Sequence, residues 1–198
     1  MNWETLLAFG DSITFGARSY LSYPEICCDM LSKKLNKSWH VINHSTNGFT
    51  TLDLMRSIDP QLMNYKNNFA SIITVMIGTN DIKQKIQAEL FRIAYNQLVI
   101  KLQLLSVNNN VLLIKIPKIT NDVFYPYTFS MNDEIKKFNE IIDEIAVKSN
   151  LQCIEFEFND KDFFDGVHLN TQGTNTAAIQ LYNYILKDKG FEGSSALS

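Results

Sequence analysis

Cysteine is scarce in this chain, with three in 198 residues. Cys27 and Cys28 are adjacent, which makes a disulfide between them geometrically awkward, and Cys153 is an odd thiol out. A disulfide framework is therefore not expected, and a reducing compartment fits. None of the three has a base near it in sequence, so all read as small buried hydrophobes instead of nucleophiles. Long apolar runs are missing too: the longest are short stretches such as Val111 to Ile114, far from the roughly 20 residues that a membrane-spanning helix needs. The first ten residues include Glu4 and lead straight into a polar motif, leaving no room for a basic, then apolar secretion signal. The expectation is a soluble, cytoplasmic protein with no stable membrane insertion. The 18 basic and 21 acidic residues are dispersed, for a net charge of -3. No basic block exists to hold a phosphate backbone, so nucleic acid is not an expected partner. Also absent are internal repeats, linkers, the Gly-x-x-x-x-Gly-Lys phosphate loop, the Gly-rich dinucleotide fingerprint and the Gly-x-Ser-x-Gly elbow.

What remains has the composition of an ordinary globular chain, 45% apolar and 20% charged. The length suits one well-buried domain, set at residues 1–191, followed by a small, polar, flexible tail at 192–198. Five short apolar runs read as buried strands: Thr5 to Phe9, Trp39 to Asn43, Ser71 to Met76, Asn110 to Ile116 and Gln152 to Phe156. Helical spacing lies between them. Pro24 marks a first helical turn that continues to Asn36. Ile86, Leu90, Ile93, Leu98, Leu102 and Leu105 mark a second helix. Ser130 with Asp133 resembles the start of a third, which continues through Ile135, Phe138, Ile142 and Ile145. A last helix runs from about Thr171 to Lys189 and stops at Gly190. Strands alternating with helices imply an α/β fold, a three-layer α/β/α sandwich around a five-stranded parallel sheet. In such folds, loops at the carboxyl ends of the strands gather at one edge and bind ligands.

Four polar motifs fall in those loops. Gly10-Asp11-Ser12-Ile13-Thr14 follows the first strand, Asn47-Gly48 the second, Gly78-Thr79-Asn80-Asp81 the third, and Asp165-Gly166-Val167-His168-Leu169 precedes the last helix. A serine hydroxyl needs a base within hydrogen-bond reach to attack a carbonyl. Ser12 is the candidate nucleophile, His168 its base, and Asp165 the carboxylate that orients the imidazole. The backbone amides of Ser12 and Gly48 and the side-chain amide of Asn80 are candidate donors to an oxyanion. Taken singly, Gly-Asp-Ser and Asn-Gly are ordinary turn sequences; the order of all four carries the reading. Asp81 is expected to cap a helix or brace its loop. His40 and His44 fall in or beside the second strand and read as packing residues. Asp165 and His168 alone are too few for a metal site, and no second His or Cys cluster completes one.

These motifs resemble those of the GDSL, or SGNH, hydrolase family of esterases and lipases, whose blocks are met by Ser12, Gly48, Asn80 and His168, with Asn170 and Gly173 following. The similarity spans residues 5 to 189, with the block around Gly48 the loosest. It implies a flavodoxin-like fold, an acyl-enzyme route and no metal or organic cofactor. The expected substrate is a small-molecule acyl ester or thioester with a short acyl group such as acetyl. Phe15, Tyr20 and Phe49 would narrow the site. The aromatic stretch from Lys118 to Ser130, holding Phe124, Tyr125, Tyr127 and Phe129, either walls the pocket or packs onto the core. Two other readings are a noncatalytic carbohydrate-binding module, which would have had least reason to keep Ser12 and His168, and a nucleotide binder, which lacks its phosphate loop. The sequence leaves the oligomeric state open.

Overall fold

Leu6, Leu7, Ala8 and Phe9 are all buried, although successive side chains of a strand point to opposite faces. Such a run needs cover on both sides of the sheet. The computed structural model, which describes residues 3–64, 70–106 and 110–188, supplies it. Among the described residues five strands, β1 (Trp3–Gly10), β2 (Ser38–Asn43), β3 (Ile72–Met76), β4 (Val111–Ile114) and β5 (Gln152–Ile154), pair in parallel in the order β2-β1-β3-β4-β5. Around them run α1 (Ser12–Phe15), α2 (Tyr23–Leu35), α3 (Thr51–Asn64), α4 (Thr79–Lys83), α5 (Ala88–Leu105), α6 (Asn132–Ser149) and α7 (Thr171–Asp188). Leu7, Phe9, Ile73, Val75 and Leu113 face α3, α5 and α6. Leu6, Ala8, Ile72, Leu112 and Ile114 face α2 and α7. Each of the larger of these side chains contributes about 1.5–3 kcal/mol on burial, so both layers are held mainly by the hydrophobic effect. No described helix is long and apolar enough to cross a membrane.

Several boundaries differ from the sequence expectation. Helix α2 begins at a reciprocal cap in which Glu25 accepts from the Ser22 amide at 2.7 Å, with Pro24 in its first turn as expected. Ser130 does not cap α6; its hydroxyl pairs with that of Thr128 at 2.9 Å in a 3-10 turn, and α6 starts at Asn132. The stripe drawn through Leu90 and Ile93 is out of phase, since these are 55% and 49% exposed while Phe91 and Tyr95 take the core. Phe91 and Tyr95, four residues apart, pack against one another at 5.2 Å on the core side, and Leu98, Leu102 and Leu105 continue that face as expected. Strands β4 and β5 are shorter than the apolar runs that contain them, although Ile116 and Phe156 stay buried beyond their ends. The stop at Gly190 and the tail at 192–198 lie outside the described residues.

This strand order places the site. From β1 the chain steps to β2 on one side, whereas β3, β4 and β5 extend on the other, so the order reverses between β1 and β3. The crevice beyond the carboxyl ends of those two strands is where such sheets bind ligands. Ser12 leaves β1 there and Asn80 leaves β3. His168 must travel further, because β5 is three strand spacings from β1, about 14 Å. Helix α7 brings it back: instead of lying over β5, α7 packs along α2, and the segment before it crosses the top of the sheet.

Candidate active site

Strand β1 ends in a tight approach that sets Ser12 at the start of α1. Gly10 is needed there for space, not for a left-handed backbone: an added Cβ would lie 2.5 Å from the Met76 carbonyl oxygen and 2.4 Å from the Thr14 hydroxyl. Asp11 caps the helix, its Oδ1 accepting from the Ile13 amide at 3.0 Å. Its Oδ2 is buried. Burial above all, with the nearby charge of Asp81 adding to it and the Ile13 amide opposing, raises the Asp11 carboxyl from 3.8 to about 7. Ser12 itself is 9% exposed, its backbone N–H in the first helical turn, where no intrahelical acceptor exists. The Asn43 side chain donates to the Thr14 carbonyl at 3.0 Å, tying the end of β2 to this helix.

The three side chains named from the sequence as nucleophile, base and orienting acid are brought together. Ser12 Oγ lies 2.9 Å from His168 Nε2, and His168 Nδ1 lies 2.7 Å from Asp165 Oδ2. The other carboxylate oxygen, Oδ1, accepts from the amides of His168 at 2.8 Å and Val167 at 3.1 Å. Partial burial pushes the Asp165 carboxyl up, but these amides and the imidazole together outweigh it and hold the group below its ordinary 3.8. The fixed carboxylate therefore presents one oxygen to the ring while the backbone pins the other. Gly166, at φ 82°, turns the loop in a conformation that L side chains rarely adopt, and a Cβ there would lie 2.8 Å from Val123 Cα and Thr120 Oγ1. The Thr120 amide donates to the Gly166 carbonyl at 3.0 Å, so the segment after β4 braces this loop. Asn170 anchors its far end, accepting from the Gly173 amide at 3.0 Å and donating to the Lys161 carbonyl at 2.7 Å.

Asn80 sits in the first turn of α4, not in an open loop as expected, and is 2% exposed. Its Nδ2 donates to the Phe49 carbonyl at 3.1 Å. Gly48, at φ 81° in the turn before α3, is joined to Asn80 through this next residue. Asp81 also braces that turn: its Oδ2 accepts from the Thr51 amide at 2.9 Å, which caps α3 from the neighbouring helix. Burial raises Asp81 to about 6 against the opposing bonds from Thr51. The geometry thus offers a serine in contact with a base, with Asn80 tied through Phe49 to the turn that holds Gly48.

The remaining residues divide. His44 stacks on Phe9 at 5.3 Å and His40 meets Trp3 edge-on at 5.5 Å. Cys27 and Cys28 are buried and Cys153 is half-buried, with burial pushing Cys28 and Cys153 each up to about 12. Within the aromatic stretch, Val123 and Tyr127 pack on the core while Phe124, Tyr125 and Phe129 are exposed. Phe15 and Tyr20 are likewise exposed, with Phe49 half-buried. Among the described residues no three His, Cys, Asp or Glu side chains are grouped to hold a metal ion. Sequence reading missed the bracing by Asn43 and Thr120, polar residues with no distinctive spacing.

The model of the GDSL-like lipase/acylhydrolase family matches residues 8–175, from the middle of β1 into α7. The chain belongs to this family. It is accordingly a carboxylic ester hydrolase. No curated protein matches the sequence significantly. Solved structures share the fold at low identity. A lipolytic G-D-S-L family protein from Veillonella parvula is 19% identical with a TM-score of 0.74, over 98% of this chain and 100% of that one. The psychrotrophic esterase EstA from a Pseudoalteromonas species is 19% identical with a TM-score of 0.73, over 94% and 99% of the two chains. An acetylxylan esterase from Geobacillus stearothermophilus is 18% identical with a TM-score of 0.71, over 95% and 94%. The family's three-layer α/β fold is thus the fold of this chain.

Proposed function

We propose that this hydrolase cleaves short-chain acyl esters by a serine mechanism. The Ser12 hydroxyl attacks the ester carbonyl carbon while its proton moves to His168 Nε2. Asp165 accepts the Nδ1–H bond, which fixes the tautomer with a free Nε2 lone pair and stabilises the imidazolium that forms. The negative charge on the former carbonyl oxygen is met by the amides of Ser12 and Gly48 and by Asn80. His168 then returns its proton to the leaving alcohol, and water, activated by the same imidazole, releases the acid from Ser12. No step calls for a cofactor.

The observation that carries this reading is the unbroken series from Ser12 Oγ to His168 at 2.9 Å and from His168 to Asp165 at 2.7 Å. Acetyl esters or small acyl thioesters are the proposed substrates. Support comes from Phe49 beside the Asn80 donor and from the acetylxylan esterase among the proteins of like fold. Ser12→Ala is expected to abolish hydrolysis of aryl acetates while the circular dichroism spectrum stays that of the parent. Undiminished turnover in that variant overturns the proposal.

A further inference from the structure

Asn80 poses a problem of orientation. A carboxamide is nearly symmetric in shape, and a half-turn about its last bond exchanges a donor for an acceptor. Turned one way it donates to a developing oxyanion; turned the other it aims lone pairs at negative charge. Two partners address this. The Phe49 carbonyl can only accept, so Nδ2 must face it, at 3.1 Å. The Tyr127 hydroxyl lies 3.4 Å from Asn80 Oδ1 and can donate to it. With Nδ2 and Oδ1 both engaged, the second N–H of Nδ2 remains for the substrate.

We infer that Tyr127 is a positioning residue of this ester hydrolase: its hydroxyl holds the Asn80 side chain in the sense that presents an N–H to the oxyanion. The inference rests on the serine mechanism proposed above. Tyr127 is well placed for it. Its ring also lies 5.6 Å from Lys83 Nζ, one turn along α4 from Asn80, so the same side chain grips the helix twice. Its amide donates to the Phe124 carbonyl at 3.1 Å, which fixes the backbone behind the ring. Burial, reinforced by the charges of Asp11 and Asp165, raises the phenol to about 12, so it remains a donor throughout the range in which an imidazole base works. The same segment carries Thr120, bonded to Gly166 in the loop of the base. Residues 120–127 therefore tie the proton-transfer side of the site to its oxyanion side. Removing the hydroxyl would leave Oδ1 of a 2%-exposed side chain without this donor, and rotation of the amide would then compete with the productive orientation.

A double-mutant cycle on an aryl acetate tests this. Tyr127→Phe keeps the ring and is expected to lower kcat about three- to tenfold, the worth of one hydrogen bond, with KM nearly unchanged. Asn80→Ala is expected to lower kcat about 10²- to 10³-fold. Because Tyr127 acts through Asn80, adding Tyr127→Phe to Asn80→Ala should cause no further fall. Losses that multiply in the double variant overturn the inference, as does an unchanged kcat in Tyr127→Phe or an effect confined to KM. Ser12→Ala, measured alongside, separates the two claims: hydrolysis that survives it sinks the serine mechanism, whereas full activity in Tyr127→Phe beside an inactive Ser12→Ala sinks only the role of Tyr127.

Discussion

Ser12 Oγ and His168 Nε2 lie 2.9 Å apart across 156 positions of sequence. Their contact is a consequence of helix packing. Cys27, Cys28 and Leu31 of α2 share a cluster with Ala177, Ala178, Leu181 and Ile185 of α7, which draws α7 beneath the centre of the sheet and its preceding loop over the end of β1. The small side chains at 177 and 178 let the two helices approach. Core packing on one face thus sets the Ser12–His168 contact at the edge.

Asp165→Asn should separate orientation from folding. The amide retains an oxygen for the Val167 and His168 N–H groups but offers an N–H where the imidazole now donates. The ring then favours the tautomer with its proton toward Ser12 and cannot accept another. The expected result is a fall in kcat of about 10³- to 10⁴-fold. Initial rates on an aryl acetate check this, and activity near that of the parent contradicts it.

Asp11 predicts a pH dependence of stability. Its carboxyl is raised from 3.8 to about 7 in the folded chain, so the folded state holds this proton more tightly than the unfolded one. The contribution is fully favourable below the unfolded value and is lost as pH rises through about 7. Asp11→Asn keeps a cap acceptor for Ile13 and removes the buried charge. It should exceed the parent in stability by about 4 kcal/mol at pH 8, with the difference shrinking toward pH 4. Urea unfolding at the two pH values measures it; a difference independent of pH contradicts the assignment.

Much of this architecture was legible in the sequence because it rests on strong local signals. Runs such as Ile72–Met76 announce strands buried on both faces, and the order of the four polar motifs placed Ser12, Asn80 and His168 at one edge of the sheet. Helix α3 was not foreseen: Pro60 interrupts its pattern, and its start depends on Thr50 and Asp53 capping one another, with Asp81 reaching over from α4. That last bond joins residues 30 apart, beyond what any local window registers. In the first half of α5 the phase was misread, because Leu90 and Ile93 are as apolar as the core residues beside them, whereas Leu98, Leu102 and Leu105 are buried as expected. Tyr127 stood within an aromatic stretch, but only the fold shows its hydroxyl reaching Asn80.

The central claim is that Ser12 is a nucleophile activated by His168. Intact-mass analysis after treatment with a fluorophosphonate tests it most directly. The account predicts a single covalent adduct, mapped to the peptide containing Ser12, and none on Ser12→Ala. An unmodified chain that still hydrolyses esters, or an adduct on another residue, would contradict it.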